Sequence, residues 1–198
     1  RVLFRSGFKY FQREIPGIHN VENATAAIAV LHSLGTDFET IKTGISTFKG
    51  IKRRYTKHSF ANGKIYVDDY AHHPTELNAV IGSIRTFNPG KKLLVVFQPH
   101  LFSRTRDFAE GFSASLSLLD EVILMDIYPA REKPIEGVTS TMLLKNITCA
   151  KKQILNAQEI LNYLADNRPE VLISIGAGDI DQLVEPIEKL FSNVITNE

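Results

Sequence analysis

Residues 67–76 concentrate ionisable side chains between a strand pattern and a helix pattern. The stretch contains two carboxylates, a phenol and two imidazoles, contributed by Asp68, Asp69, Tyr70, His72 and His73. Residues 64–67 are β-prone, and Pro74 opens a run of helical periodicity. In an α/β sheet, such a strand-to-helix turn lies at the carboxyl end of a strand, where ligands bind. We therefore expect a binding or catalytic site here.

Two further strand-to-helix turns carry groups suited to binding an anion. Residues 98–106 include His100 and Arg104, and residues 128–133 include Arg131. A guanidinium can grip a carboxylate or phosphate through paired hydrogen bonds, and a nearby imidazole can orient an amine or move a proton. Because parallel strands end at one sheet edge, the three turns are predicted to meet and form a ligand site.

The same residues allow other interpretations. Asp68 could cap the preceding hairpin, and His73 could cap the following helix. A metal site could instead draw on Asp68, Asp69, His72, His73 and His100. These adjacent pairs do not have the spacing of the familiar zinc motifs, which disfavours that alternative. Gly176-x-Gly178 is half of a dinucleotide fingerprint, and without the third glycine it is more typical of a tight turn.

Two carboxamides at the start of the first helix pattern suggest a nucleotide contact. Asn20 and Asn23 lie one turn apart on one helix face, and either could serve as an N-cap. Each offers a donor and an acceptor, which is the combination needed to bind an adenine edge. Arg53 and Arg54, after the second helix pattern, could contact the phosphates of the same nucleotide.

The pattern of elements predicts two parts with a boundary near residues 50–54. Residues 2–18 form an extended pair, followed by a buried helix over 20–34 and a second helix with a capping box from Thr36 to Glu39. The second part alternates strands and helices, which predicts an α/β fold with a mostly parallel, Rossmann-like sheet and helices on both faces. Its predicted elements are a hairpin (55–61 and 64–69), a helix from Pro74, strands at 93–97, 121–127 and 171–175, helices at 107–119, 139–146 and 158–165, and a last helix kinked or split by Pro186.

Composition excludes several classes of function. The 198 residues are 43% hydrophobic and 23% charged, with a formal net charge of +1, so a packed core is expected without an electrostatic case for nucleic acid or membrane. No apolar run reaches transmembrane length, and the single Cys149 suits a reducing, cytoplasmic compartment. The chain opens without methionine, so we expect part of a longer protein.

Four stretches together resemble the Mur ligase family. They are Pro16-Gly17-Ile18-His19-Asn20-Val21-Glu22-Asn23-Ala24, Gly50-Ile51-Lys52-Arg53-Arg54-Tyr55, Asp68-Asp69-Tyr70-Ala71-His72-His73-Pro74-Thr75-Glu76, and the turn from Gln98 to Arg106. The order and spacing are most similar to the member that joins L-alanine to the lactyl carboxylate of UDP-N-acetylmuramate. The resemblance implies that residues 1–51 are the tail of a central ATPase domain and residues 52–198 a C-terminal domain that binds the amino acid. The N-terminal domain and most of the central domain are then missing from this chain.

The resemblance also implies roles for particular residues. Asn20 and Asn23 would bind adenine, and Arg54 and Asp69 would contact ATP and act in catalysis. The substrate pocket would be lined by Tyr70, His72, His100 and Arg104. The implied cofactor is ATP with Mg²⁺, and the implied reaction forms an amide through an acyl phosphate, in peptidoglycan precursor synthesis.

Departures from the family pattern leave alternatives open. The chain has no G-x-x-x-x-G-K-[ST] phosphate loop, so we expect that loop and most magnesium ligands in the parent protein. Leu101 stands where many relatives carry arginine, and Arg131 where many carry glycine. The alternatives are the related ligase that attaches a recycled peptide to the same sugar, a non-catalytic nucleotide-binding module and, less favoured, a metal-dependent hydrolase.

Overall fold

A computed structural model of the protein describes residues 2–6, 9–13 and 18–192, with side chains from residue 20 to residue 192. The chain divides into two compact units, residues 1–52 and residues 53–198. Their boundary lies inside the predicted stretch 50–54. Within the described residues, no helix has the length and apolar character needed to cross a membrane.

The first unit contains a hairpin and two helices. Strand β1 (Val2–Ser6) pairs antiparallel with β2 (Lys9–Arg13), which confirms the predicted extended pair in its described part. Helix α1 spans Ile18–Ser33 and α2 spans Phe38–Thr47. Ile28 of α1 and Ile41 of α2 are buried in one apolar cluster.

Two predictions for this unit are wrong. Helix α1 is not buried all round, because only its side with Ala24 and Ile28 is covered, while Val30 and Leu31 are 58% and 38% exposed. The capping box is also wrong, because α2 begins one residue later than predicted. Its N-cap is Asp37, whose carboxylate accepts a hydrogen bond of 2.9 Å from the Thr40 backbone N–H.

The second unit is built on a six-stranded sheet with the order β3-β4-β8-β5-β6-β7. The strands are β3 (Thr56–Ser59), β4 (Ile65–Asp69), β5 (Leu93–Phe97), β6 (Glu121–Leu124), β7 (Lys151–Ile154) and β8 (Val171–Ile175). The β3–β4 pair is antiparallel, and each of the other neighbouring pairs is parallel. This confirms the predicted mostly parallel sheet. The sequence did not predict β7, because its Lys-Lys-Gln-Ile is short and polar, as suits an edge strand.

Helices cover both faces of this sheet, as the α/β prediction requires. They are α3 (Pro74–Phe87), α4 (Phe102–Asp107), α5 (Ala109–Leu116), α6 (Ser140–Asn146), α7 (Ala157–Asn167) and α8 (Val184–Ser192), with a 3-10 helix at Asp179–Leu183. Adjacent residues of β4 point to opposite faces, since Val67 packs in the cluster with Leu77 and Phe112, whereas Tyr66 packs in the cluster with Ile160 and Ile187. Two buried layers therefore fix β4, β5 and β8 from both sides.

Two helix predictions need correction. Residues 107–119 do not form one helix. Helix α4 already begins at Phe102, and the helical conformation is interrupted at Phe108 before α5 starts. The last helix is split, but at Val184, where the 3-10 helix passes into α8. Pro186 lies in the first turn of α8, where the missing N–H costs little, so it produces no kink of its own.

Candidate functional site

The parallel sheet of the second unit brings the polar turns to one edge. Strands β4 and β5 both pair with β8, so Asp69 and Phe97 are each opposite Ile175, the last residue of β8. Phe97 also pairs with Leu124, the last residue of β6. The segments that follow these four strands therefore start at one level, as expected for parallel strands that end at one sheet edge.

A row of rings runs along this edge. The Tyr70 and His72 rings lie 5.3 Å apart, edge to face, and the His72 and His100 rings lie 6.3 Å apart. His100 stacks on Tyr128, with 5.6 Å between the ring centroids. A parallel bridge also joins the backbones of His100 and Tyr128. Three of the four predicted pocket residues thus lie in one row, and Tyr128 extends it.

Arg104, the fourth residue of the predicted pocket, lies beside His100. It lies on the first turn of α4, and its Nη1 is 3.3 Å from Nδ1 of His100. Burial, followed by the Arg104 guanidinium and then His72, lowers the pKa of His100 below its ordinary value. His100 is therefore held as the neutral imidazole next to a permanent cation. Such a pair can bind an anion through Arg104 and keep an uncharged ring beside it.

Arg54 and Glu76 flank the other end of the row. The Arg53 and Arg54 guanidinium carbons lie 5.3 Å and 5.5 Å from the centre of the Tyr70 ring. Arg54 Nη1 is 3.7 Å from Glu76 Oε1, while Glu76 Oε2 accepts a 2.8 Å hydrogen bond from the His72 backbone N–H. Half of the Arg54 side chain is exposed, so its cation remains accessible to an anionic ligand.

Asp69 is buried beneath this edge. Its two carboxylate oxygens accept hydrogen bonds of 2.7 Å from the backbone N–H groups of Tyr55 and Ala71. Burial raises the pKa of Asp69, and these two hydrogen bonds oppose that shift. The same carboxylate fixes the loop that carries Arg54, where Tyr55 has a φ of 54°. Asp69 therefore positions Arg54, and its own contact with ATP stays a prediction.

Asp68 is a buried ion-pair partner, and the hairpin-cap interpretation is wrong. Its Oδ2 accepts a hydrogen bond of 3.2 Å from Arg53 Nε, and its Oδ1 accepts one of 2.8 Å from the Ser174 hydroxyl. The Ser174 hydroxyl is also 2.7 Å from the Tyr66 hydroxyl. Arg53 further donates a 2.7 Å hydrogen bond to the Gly176 carbonyl oxygen. This polar network ties the hairpin to β8 below the row of rings.

His73 has the structural role that the sequence allowed for it. It is the N-cap of α3, and its Nδ1 accepts a 3.3 Å hydrogen bond from the Thr75 backbone N–H. The metal-site alternative receives no support from the part of the chain that the structure describes, where no three His, Cys, Asp or Glu side chains converge on one point. The two members of each adjacent pair, Asp68–Asp69 and His72–His73, therefore make different contacts.

The Gly176-x-Gly178 segment forms a closely packed bend after β8. Gly176 has a φ of 155°, and a Cβ there would lie 2.8 Å from the Gln98 carbonyl oxygen. At Gly178 a Cβ would lie 2.4 Å from Gln98 Oε1 and 2.6 Å from Tyr128 Cβ. The buried Gln98 amide donates to Asp179 at 2.6 Å and accepts from the Ile180 backbone N–H at 2.9 Å. The glycines therefore allow close contact between β5 and the turn after β8.

Gly178→Ala is expected to lower the free energy of unfolding by about 1–3 kcal/mol, because the new methyl group overlaps Gln98 and Tyr128. Gly82→Ala is the matched control, since Gly82 lies within α3 and nothing stands within 4 Å of its would-be Cβ. That substitution should stabilise the protein by roughly 0.5–1 kcal/mol. Urea denaturation of both variants measures the difference, and equal effects would contradict the close packing at Gly178.

Sequence reasoning missed three residues of the site. Glu76 could have been found as the acidic residue in the first turn of the predicted helix from Pro74, four residues after His72. Tyr128 follows β6 and lies in the predicted turn at residues 128–133, but no role was predicted for its own side chain. Glu132 accepts hydrogen bonds of 2.9 Å and 2.5 Å from the backbone N–H and hydroxyl of Ser103, which ties that loop to the start of α4. Glu132 had no local signal, because its partner is 29 residues away.

The first unit contains both predicted adenine contacts. Asn20 and Asn23 both lie in the first turns of α1, at the one-turn spacing that the sequence indicated. Asn20 is half-buried, and Asn23 is exposed. The spacing suits a shared contact with a base, and that contact stays a prediction.

The fold is an α/β domain of the Rossmann-like class, with the Arg104 guanidinium and the His72 and His100 imidazoles at the carboxyl end of the sheet. Residues 53–178 match the family model described as Mur ligase, glutamate ligase domain. The chain belongs to the Mur ligase family.

Known proteins resemble the chain well beyond this matched segment. The UDP-N-acetylmuramate–L-alanine ligase of Cytophaga hutchinsonii is 51% identical over 178 residues, which cover 89% of this chain and 38% of the relative. The solved structure of UDP-N-acetylmuramate–alanine ligase from Thermotoga maritima has a TM-score of 0.72 and 26% identity, and the match covers 92% of this chain and 40% of that one.

A murein peptide ligase from Psychrobacter arcticus is also similar in structure. It has a TM-score of 0.67 and 22% identity, over 94% of this chain and 40% of that one. At that identity, the likeness is one of fold alone. The chain spans about two fifths of the length of these relatives, 38% of the Cytophaga protein and 40% of each solved structure.

Proposed function

We propose that this chain is the amino-acid-binding part of a ligase that joins L-alanine to the lactyl carboxylate of UDP-N-acetylmuramate. The reaction consumes ATP and passes through an acyl phosphate, in peptidoglycan precursor synthesis in the cytoplasm. The observation that carries the proposal is the edge formed by Tyr70, His72, His100 and Arg104, in a chain 51% identical to a relative of that name. Arg104 and His100 together offer a fixed cation and a neutral ring, which suit a carboxylate and an amine.

Each group of the edge has a task in this proposal. Arg104 binds an anionic oxygen of alanine or of the sugar-lactate group, with two parallel hydrogen bonds available to it. Tyr70, His72 and His100 contact the amine and the reacting carboxyl group. Arg54 contacts the phosphate that is transferred, and Asp69 holds the Arg54 loop by its hydrogen bond to the Tyr55 backbone N–H.

The first unit would contribute the nucleotide contacts. We assign residues 1–51 to the central ATP-binding domain and residues 52–198 to the C-terminal domain of the parent ligase. Asn20 and Asn23 would bind the adenine edge through their carboxamides. The remaining parts of those domains supply the phosphate loop that this sequence lacks.

ATP would enter the reaction together with Mg²⁺, which neutralises charge on the transferred phosphoryl group. The described residues of this chain do not fit a metal ion on their own, since no three candidate ligands converge. We therefore place the Mg²⁺ ligands in the rest of the parent, and no step assigned to this chain passes through the ion.

L-Alanine is favoured over a recycled peptide as the amino substrate. The 51% identical relative is named for alanine, whereas likeness to the murein peptide ligase extends only to the fold. The distinction can be tested by giving the full-length parent UDP-N-acetylmuramate, ATP, Mg²⁺ and either L-alanine or a murein peptide. Mass spectrometry should find the alanine adduct, and a peptide adduct without an alanine adduct would contradict the proposal.

The 198-residue chain alone is expected to release no phosphate from ATP above background, with or without the other two substrates. The physical reason is the missing phosphate loop, whose backbone N–H groups and lysine would hold the β- and γ-phosphates. A coupled phosphate assay at millimolar Mg²⁺ measures this directly. Phosphate release that depends on Mg²⁺ and on this chain would contradict the proposal that the phosphate loop lies in the rest of the parent.

A further inference from the structure

The hydrogen bond to His72 fixes which of its nitrogens carries the proton. His72 Nδ1 lies 3.0 Å from the Tyr70 carbonyl oxygen, and a carbonyl oxygen only accepts. Nδ1 must therefore donate. Glu76 Oε2, 3.5 Å from the same nitrogen, favours a proton there as well. In the neutral ring Nε2 is then a bare acceptor, and among the side chains described from residue 20 to residue 192 it has no hydrogen-bond partner.

His100 is held in the opposite tautomer. Its Nδ1 lies 3.3 Å from Arg104 Nη1, and a guanidinium only donates. Nδ1 must therefore accept, so in the neutral ring the proton sits on Nε2. The other charged neighbour is Glu132, whose carboxylate is bound by Ser103. His100 thus offers a donor to the site, where His72 offers an acceptor.

We propose that His72 and His100 act as a matched acceptor and donor for amide formation, an inference that rests on the proposed function. His72 Nε2 accepts a proton from the amino substrate, and His100 Nε2–H donates a hydrogen bond to the acyl oxygen as negative charge develops there. Glu76 and Arg104 are positioning residues that select the two tautomers. The ring centroids lie 6.3 Å apart, close enough for both rings to contact one reacting group.

The step balances in atoms and electrons. His72 Nε2 takes one proton from the alanine ammonium group, which frees the nitrogen lone pair to attack the acyl phosphate carbon. The C–N bond forms, and the bond between that carbon and the phosphate oxygen breaks, with its electron pair leaving on phosphate. The second proton of the nitrogen passes to the leaving phosphate, and His72 then releases its proton to solvent. Only the ATP-derived acyl phosphate is needed as co-reactant.

Nitrogen-15 NMR of the histidine rings in the 198-residue chain tests the tautomers without any substrate. At a pH where the rings are neutral, His72 should show a protonated Nδ1 and a bare Nε2, and His100 should show the reverse. Finding the same tautomer in both rings would overturn the inference and leave the proposed function intact. Conversely, loss of the proposed function would not alter this result.

Arg104→Met and Arg106→Met form a matched pair for the positioning role. Arg106 is exposed on the same helix and pairs with Asp107 at 2.8 Å, so its removal should change neither ring. Arg104→Met should shift His100 toward a mixture of tautomers and leave His72 unchanged. An unchanged His100 spectrum in Arg104→Met would show that Arg104 does not select the tautomer.

Kinetics in the full-length parent test the proton transfer itself. His72→Asn should lower turnover by roughly 10²–10⁴-fold, the usual contribution of a positioned proton acceptor. His73→Asn is the control, because asparagine is a good N-cap for α3 and His73 has no place in the proposed step. Turnover of His72→Asn equal to that of His73→Asn would overturn the role of His72 as acceptor.

Discussion

Arg53→Met is expected to lower the free energy of unfolding by about 3–5 kcal/mol, the usual cost of removing one partner from a buried ion pair. The side chain of Asp68 is 2% exposed and that of Arg53 is 14% exposed, so little water can reach the charge that remains. Methionine fills similar space but offers no donor. Asp68 would keep only its hydrogen bond from Ser174, and the Gly176 carbonyl oxygen would lose the bond from Arg53 Nη2.

The neighbouring residue provides the control. Arg54 is half exposed, and its ion pair with Glu76 is long at 3.7 Å, so Arg54→Met should change stability by at most about 1 kcal/mol. In the full-length parent the order of effects should reverse for ATP-dependent turnover, because Arg54 is the proposed phosphate contact. Chemical denaturation of both variants gives the comparison. Equal destabilisation by the two substitutions would contradict the distinction between a structural and a functional arginine.

Arg104→Ala in the full-length parent is expected to raise the KM for alanine or for the sugar substrate by roughly ten- to hundredfold. That range corresponds to the loss of one charged hydrogen-bond contact of about 1.5–3 kcal/mol. The KM for ATP should stay nearly unchanged, because the proposed adenine contacts belong to the first unit. Initial rates with each substrate varied in turn measure all three constants.

Asn23→Ala should give the opposite pattern. Asn23 is exposed on the first turns of α1, so its removal should leave the fold intact while weakening the proposed adenine contact. The KM for ATP should rise, and the constants for alanine and the sugar should not. If Arg104→Ala instead raised the KM for ATP and spared the other two, the assignment of the two sub-sites would be wrong.

The fold was predictable where local patterns agree with tertiary structure. Strand β5 is a short, continuous apolar run, and all five of its residues are buried. The helix that follows Pro74 carries its apolar residues at helical spacing, and Leu77, Val80, Ile81 and Ile84 are buried as that spacing requires. Because parallel strands direct their carboxyl ends to the same edge of a sheet, the shared edge of the turns could be predicted from the order of strands and helices.

The sequence could not specify what each polar residue does within that edge. Asp68 and Asp69 are adjacent and chemically alike, yet Asp68 pairs with Arg53 while Asp69 accepts from two backbone N–H groups. Arg53 and Arg54 also differ in role, since Arg53 is paired with the buried Asp68 whereas Arg54 is half exposed. These tasks depend on contacts over long sequence distances, such as the 106 residues between Ser174 and Asp68, which no local pattern records. Strand β7 was missed because a polar edge strand lacks the alternation that identifies half-buried strands.

A crystal structure of the full-length parent with UDP-N-acetylmuramoyl-L-alanine is the most direct measurement of the central claim, that this sheet edge handles the amino acid. The alanine part of that product should lie within hydrogen-bond distance, about 2.7–3.2 Å, of at least two of Tyr70, His72, His100 and Arg104. A product whose alanine contacts none of these four side chains and lies against other elements of the parent would contradict the account.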